Sequence, residues 1–416
     1  MRNRLGWLLG LMVSSLAWAH GVPPQSLAVS PSPWTPGGLV VSTTFGALVS
    51  DDRCTYEWIC PEVLGFGARE QPTWTATRSG TLFAAAISGL AVSRDRGCSF
   101  ERHPDFESRG AADVVEAGDT LFVTSARFGV RNGLWASTDD GKTFSATALA
   151  SEALFFNAVR VAPSDPRRVV VSAWYFEPRR LSLFVSDDRA ASFSEIELTA
   201  AFSTGSVFTV HAIDASNASV LFASVVDDSV TPERTRLLKS VDGGRTFVTV
   251  LTADGRVSSM AQDGGLWWLA LGDRVYRSTN GSDFEVLEQP RQRACVARLG
   301  GETLACGRQS GEDGFAVARL DAPGAVPVLT WSRISGPRAC PADAPTTRAC
   351  SVVWPVERAE LGLAPDHVAT CGGPSVEPGP VPPPRGGCQG APVGAGLVSV
   401  LLFFLGRTRR VESANR

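Results

Sequence analysis

Three segments of the chain share one template, S-x-D-x-G-x-[ST]-F: Ser93, Asp95, Gly97 and Phe100; Ser137, Asp139, Gly141 and Phe144; Ser240, Asp242, Gly244 and Phe247. A weaker copy has Ser186, Asp188 and Phe193, with Ala190 in the glycine position. Two more, Ser50 to Tyr56 and Ser278 to Phe284, are one residue short, and a decayed seventh turn is predicted near Ser310 to Phe315. Successive serines are 38 to 54 residues apart. Such a period implies one small structural unit repeated around a shared core. Asp and Ser side chains bond to nearby backbone and hold turns. Glycine takes positive φ at little cost. The aromatic starts the next strand and carries a large apolar surface. Short β-branched and aromatic runs precede the boxes, among them Thr81–Ile87, Thr120–Thr124, Arg168–Ala173, Val220–Val225 and Leu266–Ala270. They read as strands. No long helical period is found before residue 391.

The template resembles the Asp-box (BNR) repeat of sialidases, sortilin-type receptors, xyloglucanase-type glycoside hydrolases and photosystem-assembly-factor-like propellers. The resemblance covers residues 26–335, at roughly 44 residues per unit. It implies an all-β fold: a β-propeller of seven four-stranded blades, within a range of six to eight, occupying 20–335. The box is then the turn between the third and fourth strands of a blade. A strand from either terminus is expected to complete the closing blade. Because receptors and enzymes share the repeat, it implies a fold and no activity. The box acids are read as structural, since catalysis needs one special environment and not six equivalent ones.

Searches for chemistry find little. The net charge of −3 argues against nucleic acid as a partner. Metalloprotease and serine-hydrolase motifs are absent, and the cysteine spacing does not suit zinc. Neither metal nor cofactor is expected. His103, His211 and His367 are dispersed, and only Tyr56, Tyr175 and Tyr276 are available as tyrosine nucleophiles. A glycosidase carboxylate pair can come from distant positions. Asp113, Asp227, Asp228 and Glu177 are candidates, each equally readable as a solvated loop acid. Trp267-Trp268 and Trp174-Tyr175 are readable as sugar platforms. Adjacent strand residues face opposite ways, which favours core.

Eight cysteines, Cys54, Cys60, Cys98, Cys295, Cys306, Cys340, Cys350 and Cys371, suggest up to four disulfides. Cys295 and Cys306 flank a hairpin at Gly300-Gly301 and are expected to pair. Cys60 with Cys98 would staple neighbouring blades. The segment 336–372 lacks repeat character, and its three cysteines are expected to pin a loop-rich tail to the ring.

Both ends read as targeting segments. Arg2 and Arg4, the apolar stretch Leu5–Leu16 and Ala17-Trp18-Ala19 predict a signal peptide over 1–19, cleaved before His20. A Pro/Gly-rich linker over 373–387 precedes Cys388, an apolar helix-forming stretch from Ala391 to Gly406, and Arg407, Arg409 and Arg410. The segment 388–416 resembles the MYXO-CTERM sorting tails of myxobacterial exported proteins, apart from its terminal VESANR. The resemblance implies processing and lipid attachment at Cys388 and display at the outer membrane or cell surface. A plain transmembrane anchor is the alternative. Complete scaffold signals without a catalytic constellation point to a non-catalytic propeller binding a protein or glycan. The alternatives are an extracellular glycoside hydrolase and a structural envelope protein.

Overall fold

The computed structural model describes residues 23–371, apart from 68–69, 199–201, 203–206, 228, 289, 291–294 and 321–323. The predicted signal peptide, linker, Cys388 and C-terminal apolar helix lie outside the described residues, as does Asp228.

The chain forms seven sheets in sequence order, each built on four consecutive antiparallel strands, the first of them extended by a fifth. Blade 1 spans residues 26–59, blade 2 73–102, blade 3 113–151, blade 4 154–197, blade 5 207–254, blade 6 257–286 and blade 7 296–329. The first strand of each blade touches the first strand of the next, and that of blade 7 touches that of blade 1. Seven inner strands therefore surround a central axis, and the all-β seven-bladed propeller is a closed ring.

The core lies between blades. The buried apolar residues fall into seven clusters, one at each junction of neighbouring blades. A blade is sandwiched between two others, so both faces of its middle strands are buried. Leu82–Ala86 and Gly89–Ser93 are buried at every position, which is why the strands read as apolar runs and not as alternation. Box aromatics enter these seams: Phe144 meets His103 and Phe106 edge-on, and Phe100 meets Trp74.

Blade 1 has four strands of its own, and a fifth, Ile334–Pro337, pairs parallel with Tyr56–Ile59 on its outer edge. A strand from after the last blade thus covers the first blade's edge. A helix follows at Pro345–Glu360. The sequence reading missed it, because its mixed composition and the internal Pro355 obscure any helical period. No helix among the described residues is long and apolar enough to cross a membrane. The expected seventh box is also corrected. Ser310 to Phe315 lies between the second and third strands of blade 7, Glu302–Cys306 and Val317–Arg319. The chain does turn at 309–313 and Phe315 is buried, but this is not the turn between third and fourth strands that carries the other boxes.

Candidate functional site

In the full boxes the serine hydroxyl donates to the aspartate and accepts the N–H at the glycine position. In the second box Ser137 Oγ donates to Asp139 Oδ1 at 2.7 Å and accepts from Gly141 N at 2.8 Å. Asp139 also accepts from the backbone and hydroxyl of Thr143. The same set recurs at Ser93–Asp95–Gly97, Ser186–Asp188–Ala190 and Ser240–Asp242–Gly244. The short copies keep it, with Asp52 and Asn280 as acceptors. Hydroxyls of Ser192 and Thr246, then backbone N–H groups, hold Asp188 and Asp242 at a pKa of about 2. Each box acid is thus a committed acceptor within its own turn.

The cysteines form four bridges: Cys54–Cys371, Cys60–Cys350, Cys98–Cys340 and Cys295–Cys306. The expected Cys60–Cys98 staple does not form. Both residues instead take partners from the C-terminal segment, which the added strand delivers to the seam of blades 1 and 2. Thr346 bonds to the backbone of Gly97 and Cys98, and Trp354 packs on Trp58. Residues 334–371 therefore form a strap over two blades.

The candidate aromatics and titratable groups separate by environment. Trp267 and Trp268 are buried in the seams on either side of blade 6. Trp174 stacks on Phe155 at 4.4 Å beneath Arg179. Tyr175 donates to Glu195 and is covered by Arg180. Tyr56 is fully buried, and burial pushes its phenol well above the usual value. His103 is wedged between aromatic rings and meets the Lys142 carbonyl. Glu177 and Asp227 are exposed, and Asp227 is bonded to Ser229.

Asp113 and His211 are linked through Arg160 on the inner strands that surround the axis. Asp113 opens the inner strand of blade 3 and accepts from Arg160 Nη1 at 2.6 Å and Val159 N at 3.1 Å, both on the inner strand of blade 4. Arg160 Nε donates to the His211 carbonyl of blade 5 at 2.7 Å. His211 Nε2 lies 2.8 Å from Ser224 Oγ. Asn157 Nδ2 donates to the Phe208 carbonyl and Thr209 Oγ1. A carbonyl cannot donate, so this orientation is fixed, and Asn157 Oδ1 is left buried with no partner. Asn157 and His211 both sit where the register of an inner strand slips by one residue. A β-bulge re-aims its extra side chain. No sequence motif marks a bulge, which is why Asn157 was missed and His211 looked isolated, and Arg160 gave no signal because its partners lie on other blades.

This girdle is built for hydrogen bonding. Enclosure, reinforced by the Arg160 charge, pushes His211 down to a pKa of about 3, so the imidazole is neutral at physiological pH. A nucleophilic dyad needs an orienting group on the base. Ser224 is buried, and no acid bonds to His211 among the described residues. The Arg160 guanidinium neutralises Asp113.

No family model and no curated protein matches the chain. Solved structures match at low identity. The xyloglucanase of family GH74 from Xanthomonas campestris is 12% identical over 73% of this chain and 71% of that one, with a TM-score of 0.37. A catalytically inactive virginiamycin B lyase from Staphylococcus aureus is 11% identical over 68% and 92%, with a TM-score of 0.48. An ulvan lyase of polysaccharide lyase family PL25 is 11% identical over 73% and 96%, with a TM-score of 0.45. The fold and bridges define a disulfide-stapled seven-bladed β-propeller, a build that fits an oxidising, extracytoplasmic compartment.

Proposed function

We propose that this is an exported, surface-tethered propeller without catalytic activity, which binds a glycan or a protein at the mouth of the central axis beside blades 3 to 5. The carrying observation is the Asp113–Arg160–His211 girdle: its acid is ion-paired, its histidine neutral, and its polar groups sit on rigid inner strands. In this reading the set shapes the rim that a ligand meets, and its one carboxyl group is ion-paired and therefore not available as the acid that protonates a leaving group. The tether in this reading is the tail with Cys388. Cys54 fixes Cys371, the last described residue, at the Ser50–Tyr56 turn of blade 1.

Incubation of the purified protein with a polysaccharide panel, followed by binding and reducing-end assays, tests the first claim. Binding without release of reducing ends is the expected result. Release of reducing ends overturns it in favour of a glycoside hydrolase. Mass spectrometry of the mature protein tests the address: the expected species begins at His20 and is processed or lipidated at Cys388. An intact, unmodified C-terminus overturns the tether.

A further inference from the structure

The connection between the second and third strands of blade 3, residues 125–131, carries Phe128 between Arg127 and Arg131. Phe128 is 59% exposed and is the only aromatic among the exposed large hydrophobic residues described. Its ring meets Phe176 of blade 4 edge-on, 4.6 Å between centroids at 69°. Phe176 leans on Phe155, which stacks on Trp174. The buried Asn132 pins the loop: it accepts from Arg127 N and donates to the carbonyls of Arg127 and Leu154. The result is a fixed aromatic corner with an open ring face.

The size of this patch selects its occupant. A stable protein partner covers about 800 Å² per side, anchored by several buried residues. The other exposed large hydrophobics are valines, and none lies on blades 3 or 4. One ring is too little apolar surface for a protein but matches one pyranose, whose C–H face suits the negative face of an aromatic ring. Charge selects further. Residues 125–132 carry two arginines and no acid, and both are exposed, with Arg127 Nη1 held by the Glu107 carbonyl at 3.2 Å. Guanidinium forks pair with carboxylates and similar oxyanions.

We propose that Phe128, Arg127 and Arg131 form a subsite for one acidic sugar unit, a uronate or sulfate ester, of an extended polysaccharide. The proposal rests on the binding reading above and names its ligand class. The purified full chain is tested by affinity electrophoresis against polygalacturonate, dextran sulfate and neutral dextran. Retardation by at least one anionic polymer and none by neutral dextran is expected. Phe128→Ala and Arg131→Ala should each weaken anionic binding at least tenfold with unchanged thermal unfolding, and Phe128→Trp should retain it. Equal retardation by neutral dextran, wild-type binding by either alanine variant, or no binding to either anionic polymer overturns the subsite. Binding that survives Phe128→Ala leaves the binding reading standing, whereas release of reducing ends overturns that reading itself.

Discussion

In each full Asp box the serine and aspartate side chains are bonded within the turn, and the glycine of the second box is needed for two reasons. Gly141 has φ of +68°, and a Cβ there would lie 2.6 Å from the Phe83 ring of the preceding blade. Gly141→Ala should cost about 1–3 kcal/mol, read by denaturant unfolding. Ala190 occupies the equivalent position at the same φ of +68° and is buried. Ala190→Gly relieves the left-handed strain but loses a packed methyl, so its effect should stay within about 1 kcal/mol. The box acids also set a pH limit. Asp188 and Asp242 have folded pKa values near 2, below the unfolded value of 3.8. Their contribution is complete above pH of about 4 and is lost as pH falls toward 2. Asp188→Asn with Asp242→Asn should flatten the acid limb of a stability–pH curve over that window.

At the level of elements, the strap is the part that departs most from repeat logic. Three disulfides with separations of 242 to 317 residues fix it to blades 1 and 2. Closing such long loops restricts the unfolded chain strongly. Cys60→Ser with Cys350→Ser should lower stability by about 2–5 kcal/mol, measured by thermal unfolding. Glu357 on the strap helix has a pKa raised to about 7, by burial and then by Glu360 and Glu62. Its proton is favoured in the folded state, so docking of the helix weakens as pH rises from about 4.5 to 7. Glu357→Gln should remove that slope from hydrogen exchange at the strap helix. The box turns were readable because turn chemistry is local. The helix was not, because its burial depends on Cys60, Trp58 and Glu62, which lie about 290 residues away by the Cys60–Cys350 separation.

For the whole molecule, closure is shared between inner-strand contacts and the strap. The junction of blades 7 and 1 also carries the Arg53–Glu302–Arg319 ion pairs. Truncation after residue 333 would bare the outer edge at Tyr56–Ile59 and the faces of Tyr56 and Trp58. An unpaired apolar edge invites pairing between chains, so the truncated protein should aggregate in size-exclusion chromatography. The chain by itself determined the repeat, the strand content and the turns, since each rests on side chains within eight residues of one another. It also determined that up to four bridges were available and that Cys295 meets Cys306, but not the partners of Cys54, Cys60 and Cys98. Tertiary structure decided the strap, the Cys60–Cys350 and Cys98–Cys340 pairings, and the girdle of Asp113, Asn157, Arg160 and His211. Those residues come from three blades, and two of them, Asn157 and His211, sit at bulges. Only the packing of neighbouring inner strands brings them together, because their bonds run between blades, whereas each repeat specifies just its own strands and turn.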